Sequence, residues 1–403
     1  MKKTRQLITL EAAHGAHNYH PVEVVLQAAR GVHVFDVEGR RYIDMMSAYS
    51  TASLGHSHPK ILKALIKQAG TLDVTSRAFY NNQLPRWLKM LTTLAGMDRA
   101  LPMNSGAEAV ETAIKLARKW GETVKRIPEN HCEIIGCIDN FHGRTLGIIS
   151  LSTEPQYRAN FGPFLPGMKT VPLGDLRALK KAITPHTAAF IVEPIQGEAG
   201  IRIPPAGYLK AARELCKKHK VLFIADEIQC GLSRTGKLFC FQHDDLDPDL
   251  VILGKALGGG VYPVSAVVGS DEVLGVLKPG DHGSTFGGNA IAAAVSMKAL
   301  ELLSDPKLIE HVAKLGHWAL DYLHDHLDGH PLIRDIRGKG LFIGVETTTP
   351  ARPLVNALKE KGVLTKDTHE VVIRLAPPLI IKKRELKQAL DALIDVIQHH
   401  RVA

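Results

Sequence analysis

The chain has 403 residues, 45% hydrophobic and 23% charged, the make-up of a globular enzyme too long for one small core, so two domains are expected. Its 50 Lys and Arg against 41 Asp and Glu give a formal charge of +9 that is spread along the chain, which argues against a nucleic-acid partner and leaves mild attraction for anionic small molecules. Five cysteines without metal-type spacing imply free thiols in a reducing compartment, and no stretch approaches the ~18 apolar residues of a membrane span, so a cytoplasmic protein without metal or membrane is expected.

In chain order, residues 1–30 read as an aperiodic arm that carries the polar segment GAHNYHP. VHVFD and RRYIDMM flank Val37-Glu38-Gly39 as a hairpin. Residues 47–50 and 55–59 are loop-like, and a helix follows from Pro59 to Gln68. In MNSGAEAVETAIKLARKW, Val110, Ala113, Ile114, Ala117 and Trp120 recur at helical spacing behind a capping box of Ser105 and Glu108. Gly106 and Ala107 lack bulk, so this helix start either binds a phosphate through its free N–H groups or simply begins a helix.

Strands and helices then alternate. Glu133 to Asp139, Ala188 to Pro194, Val221 to Ala225 and Leu250 to Leu253 read as strands, and Tyr208 to Lys218 as an amphipathic helix. This rhythm predicts a mainly parallel, doubly wound sheet whose strand ends share one crevice. Phe141, Arg144, Glu198, Asp226, Gln229 and Lys255 all fall at those ends. A lysine can form a Schiff base and an aspartate can hold a protonated pyridine nitrogen, which are the needs of pyridoxal phosphate; a buried ion pair is the other reading of Asp226 and Lys255.

Past Asn289, helices are expected to about Leu303 and over Pro306 to Leu327, then a strand in RGKGLFIGVE, a helix near Arg352 to Lys361, and the segment VVIRLAPPL. The last helix, from Lys382, places Leu386, Leu390, Leu393, Ile394 and Ile397 on one face. The expected fold class is therefore α/β: a large domain with a mainly parallel doubly wound sheet, residues 46–290, and a smaller α+β domain, residues 291–403, joined by the arm and hairpin of residues 1–45.

GAHNYHP, TSRAFYNN, NFHGRT, VEPIQGEAG, FIADEIQ, LGKALGGGVYPVSAV, HGSTFGGN and IRLAPPL occur in an order that resembles the fold-type I, class III pyridoxal-phosphate-dependent aminotransferases, and within them the branch acting on ornithine. The resemblance covers nearly the whole chain from Gly15. It implies that Lys255 holds the cofactor and moves a proton, that Asp226 pairs with the ring nitrogen, that Phe141 stacks on the ring, and that Gln229 reaches its 3′ oxygen. Gly106 and Ala107 would take the phosphate, helped by Ser284 and Thr285 of a second copy, so a homodimer is implied.

For the small-molecule substrates, the resemblance implies that Tyr19 and Arg144 bind ornithine's α-carboxylate and that Tyr49 helps to select ornithine over 4-aminobutyrate. Arg374 would bind 2-oxoglutarate and be masked by Glu198 while ornithine reacts. Enzymes of the same class acting on acetylornithine or 4-aminobutyrate, and the glutamate-1-semialdehyde aminomutases, are the competing readings. The chain departs from the usual ornithine pattern at Cys230, Ala290 and Leu375, where Thr, Pro and Phe are common. Cys230 is either an oxidation-sensitive thiol or a small buried residue.

Overall fold

The computed structural model describes residues 2–400; residue 1 and residues 401–403, at the outer ends of the two flanking spans, lie outside the described residues. Its centre is a seven-stranded sheet. The strands run in the spatial order Arg99–Met103, Ser265–Gly269, Leu250–Leu253, Leu222–Asp226, Thr187–Val192, Glu133–Cys137 and Met168–Val171. Ser265–Gly269 is antiparallel to both its neighbours, whereas the five strands from Leu250–Leu253 to Met168–Val171 pair in parallel. Thr187–Val192, Leu222–Asp226, Leu250–Leu253 and Ser265–Gly269 are buried at every position, as helices on both faces require of a parallel sheet.

The helix Gly106–Thr123 covers part of one face, burying Val110, Ala113, Ile114, Leu116, Ala117 and Trp120. Each of its large apolar side chains contributes about 1.5–3 kcal/mol by leaving water. Two smaller sheets flank the centre. One is antiparallel, in the order Ile333–Lys339, Phe342–Thr347, Val372–Leu375, Lys366–Thr368. The other joins the hairpin strands Leu26–Arg30, His33–Asp36 and Arg41–Asp44 to Val363–Leu364, which pairs in parallel with Arg41–Asp44.

Three local readings change. The aperiodic arm contains a helix, Lys2–His14, that buries no residue, so no apolar stripe was there to announce it. RGKGLFIGVE spans a hairpin and is more than one strand: Arg337 to Lys339 end the polar first strand, Ile333–Lys339, Gly340 and Leu341 turn, and the second strand is Phe342–Thr347. Residues 47–50 form a left-handed turn, with φ of 50°, 46°, 57° and 72° at Ser47, Ala48, Tyr49 and Ser50. No helix among the described residues is long and apolar enough to cross a membrane.

Candidate active site

Asp226 ends its strand directly beside the next, with Asp226 in register with Ile252, so Lys255 follows only three residues further along the neighbouring strand's exit. The two charges therefore share the crevice that their positions predict. Asp226 is buried; Oδ1 accepts from the Ile228 N–H at 3.1 Å and Oδ2 meets His142 Nδ1 at 2.6 Å. Against the cost of burial, the hydrogen bond and charge of Asp226 raise the proton affinity of His142.

His142 is the residue that sequence reasoning missed. It lies within the NFHGRT segment, but a histidine signals a partner only once the fold shows which carboxylate it faces. Its loop is fixed by Asn140, whose Nδ2 donates to the carbonyls of Cys137 and Leu151 at 2.6 and 2.8 Å. Gly143, at φ 136°, lets the loop press on the helix start, since a Cβ there would meet that of Ala107 at 3.2 Å. Glu193, one residue past its strand, accepts from the N–H groups of Phe141 and Gly197 at 3.1 and 3.4 Å. Burial and the nearby Asp226 push its carboxyl up to about 7, against the opposing His142.

Lys255 occupies a left-handed backbone position, φ 43°, that costs a non-glycine residue about 1 kcal/mol and is kept only where surroundings impose it. Burial, with Arg374 adding to it, brings its proton affinity down to about 8 despite the opposing Glu198 and Asp226. Lys255, Asn104, Ser105 and Gly106 line one cleft of about 340 Å³. The capping box is present: Glu108 N–H donates to Ser105 Oγ at 3.2 Å, and Glu108 Oε2 accepts from Ser105 N–H at 2.7 Å. Gly106 is close-packed, because a Cβ there would stand 3.1 Å from Ile228.

A third group surrounds Arg374, which is 1% exposed on the strand Val372–Leu375. Its Nη1 donates to Glu198 Oε1 and its Nη2 to Gln229 Oε1, both at 2.8 Å, while Gln229 Nε2 donates to the same Glu198 oxygen at 3.0 Å. The guanidinium also lies 5.0 Å from the Tyr49 ring centre and 5.4 Å from that of Phe342. Against burial, Arg374 and then Lys255 hold the Glu198 carboxyl below the usual range.

Tyr19 and Tyr49 meet in another cleft, of about 420 Å³, where Tyr19 remains 76% exposed. Phe141 and Glu198 share a third, of about 470 Å³, with Tyr157. Arg144 is exposed and stacks over Tyr157 at 3.5 Å, with the Phe141 ring centre 5.6 Å away. Ser284 Oγ accepts from Asn104 Nδ2 of its own chain at 2.8 Å, and Thr285 is exposed beside it. Cys230 is fully buried against Cys240 and Glu227, and burial raises its thiol proton affinity, so it is the small buried residue of the two readings.

Residues 14–397 match the family model described as aminotransferase class-III. The chain belongs to the class-III aminotransferases. Among its relatives in this family, an ornithine aminotransferase of Exiguobacterium sp. is 57% identical over 397 residues, 98% of each chain. An ornithine aminotransferase structure from Toxoplasma gondii ME49 superposes with a TM-score of 0.97 at 43% identity, covering 99% of this chain and 96% of that one. An acetylornithine aminotransferase structure from Elizabethkingia anophelis gives 0.89 at 48% identity, covering 98% and 99%. As a class-III aminotransferase the chain has the mixed α/β architecture expected of it, with a mostly parallel central sheet and a separate small antiparallel sheet.

Proposed function

We propose that this enzyme uses pyridoxal phosphate to move the δ-amino group of ornithine to 2-oxoglutarate, giving glutamate 5-semialdehyde and glutamate. The observation that carries this reading is the buried Arg374 clasped by the Glu198 carboxylate. One pocket must accept first a diamino acid and then a dicarboxylate, and a guanidinium neutralised by Glu198 rejects the first substrate's carboxylate while remaining available for the second's. The ornithine aminotransferases similar along nearly the full chain support it, and a second Toxoplasma gondii structure, similar at a TM-score of 0.96, is described with pyridoxal phosphate at its active site.

The residues fit that cofactor. A lysine of lowered proton affinity, a buried carboxylate set by His142 and a capped, close-packed helix start are what its aldehyde, ring nitrogen and phosphate need. Once bound, the cofactor supplies an electron sink for the pair left when a proton leaves the carbon bearing the transferred amine. Lys255 Nζ would take that proton, and Asp226 would keep the ring nitrogen cationic. Phe141 would cover the ring, and Gln229 has a second Nε2 hydrogen for the 3′ oxygen. Tyr19 and Arg144 would receive ornithine's α-carboxylate, and Tyr49 would line the same pocket and help to select ornithine over 4-aminobutyrate.

Gly106 and Ala107 would take the phosphate with Ser284 and Thr285 of a second copy. Exposed Phe79, Tyr80 and Phe286 support such a homodimer, since Asn81 donates to the Gly288 carbonyl at 3.1 Å and so brings their loops together. We place the enzyme in the cytoplasm and its domain boundaries near residues 45 and 290.

The Elizabethkingia similarity favours a second reading, acetylornithine as donor. One experiment separates the two: conversion of the bound cofactor's absorbance by ornithine or acetylornithine, then its recovery with 2-oxoglutarate. Preference for acetylornithine would refute the first reading.

A further inference from the structure

Lys366 has no role in the function argued above, yet its surroundings are those of a ligand contact. It lies on the strand Lys366–Thr368, in register with Arg374, and is half-buried. Its Nζ donates a 3.0 Å hydrogen bond to the Tyr49 hydroxyl. Nearby carboxylates are committed elsewhere: Asp367 to Arg352 at 2.8 Å, Asp44 to His56 at 2.7 Å, and Glu198 to Arg374 at 2.8 Å. Among the described residues Lys366 forms no salt bridge, so a half-buried ammonium faces the 420 Å³ cleft of Tyr19 and Tyr49 without a counter-ion.

The phenol shows where that counter-ion would sit. An ammonium only donates, so the Tyr49 oxygen accepts from Lys366 and its own O–H is left to point at another acceptor. Tyr49 is held in place at a cost, because four consecutive non-glycine residues are left-handed. Asp44 Oδ1 pins that turn by accepting from the Met46 and Ser47 N–H groups at 2.8 and 2.9 Å, and the Ser47 hydroxyl donates to the Ala376 carbonyl. Arg144 meanwhile leans on Tyr157, and Arg374, 5.0 Å from the Tyr49 ring centre, is paired with Glu198, which leaves Lys366 as the cation beside Tyr49 that lacks a carboxylate partner among the described residues.

Resting on the reading of ornithine as donor, we infer that Lys366 is a specificity-determining residue whose ammonium, with the Tyr49 O–H, receives the donor's α-carboxylate. The test uses the purified holoenzyme and two donors, ornithine and 1,4-diaminobutane, which is ornithine without its carboxylate. Conversion of the cofactor's absorbance in single turnovers keeps even a poor donor measurable.

Lys366→Met should weaken the concentration dependence for ornithine about tenfold, the loss of one charge-assisted contact, with the limiting rate within about twofold. The diamine should change by less than about twofold, and Lys366→Arg should recover most of the ornithine loss. Equal losses for both donors would reveal a structural defect and overturn the inference, as would an unchanged ornithine dependence. If the unaltered holoenzyme does not react with ornithine, the functional reading fails; if it does and Lys366→Met changes nothing, only this inference fails.

Discussion

Replacing Glu198 by Gln removes the charge that masks Arg374 while keeping an oxygen for Nη1 to donate to. The ion pair is 2.8 Å long, and its charge centres are roughly 4 Å apart, worth about 4 kcal/mol at an effective dielectric of about 20. Glu198 is 25% exposed, so solvent screening brings this to about 2 kcal/mol. That is the free energy an incoming carboxylate must recover to displace Glu198, and it corresponds to about 30-fold in affinity. Glu198→Gln should therefore bind 2-oxoglutarate and glutamate up to about 30-fold more tightly, and its preference for ornithine over glutamate as amino donor should fall by a similar factor. Single-turnover conversion of the cofactor with each donor measures the ratio. A ratio that stays within about threefold of the parent, in a variant with an unchanged melting curve, would refute the masking argument.

Gly197→Ala should disrupt the same cluster from the other side, because the new Cβ would fall 1.6 Å from Gln229 Oε1 and force that amide off Arg374; loss of 2-oxoglutarate affinity together with weaker cofactor binding, since the same amide serves the cofactor's 3′ oxygen, is the expected result. His142→Phe leaves buried Asp226 without its 2.6 Å partner and should cost about 1.5–3 kcal/mol, read as a lower melting temperature of the apoprotein, with His142→Asn restoring part of it. Lys255 should shed its proton as pH rises through about 8, whereas the unfolded chain keeps it to about 10.4. In that window the unfolded state binds more protons, so this group makes the apoprotein more stable as pH rises. Since the neutral amine is the form that attacks a carbonyl, cofactor loading should have a midpoint near pH 8, and a midpoint near 10 would refute the shift.

What the sequence revealed depended on whether local pattern or distant packing decided the outcome. The apolar runs ending at Ala225 and Leu253 announced adjacent parallel strands, and the Ser105 and Glu108 spacing announced a capped helix, because each signal is complete within a few residues. The strand Ser265–Gly269 was not legible: its direction is set by the partners on its two sides. Asp226 and Lys255 could be placed together from strand ends alone. Arg374, on a strand far along the chain, had to be brought to Glu198 by resemblance, and the structure shows that bond and a second one, to Gln229, that the resemblance did not imply. His142 and Lys366 escaped notice because neither carries a spacing signal; each acquires meaning only from a carboxylate or phenol that the fold delivers.

The pairing of Arg41–Asp44 with Val363–Leu364 bears on how the protein is made. The hairpin leaves the ribosome well ahead of its partner strand, which comes about three hundred residues later. Until then the edge of Arg41–Asp44 carries unpaired N–H and C=O groups, a template for the wrong strand. Tyr49 and its cleft are likewise unfinished until Lys366 and Arg374 have been synthesised. The pocket that sorts one substrate from another is thus closed by strands made only after the central sheet is complete, and a nascent chain stalled before them would hold Asp226 and Lys255 at their finished sheet with nothing to choose what they act upon.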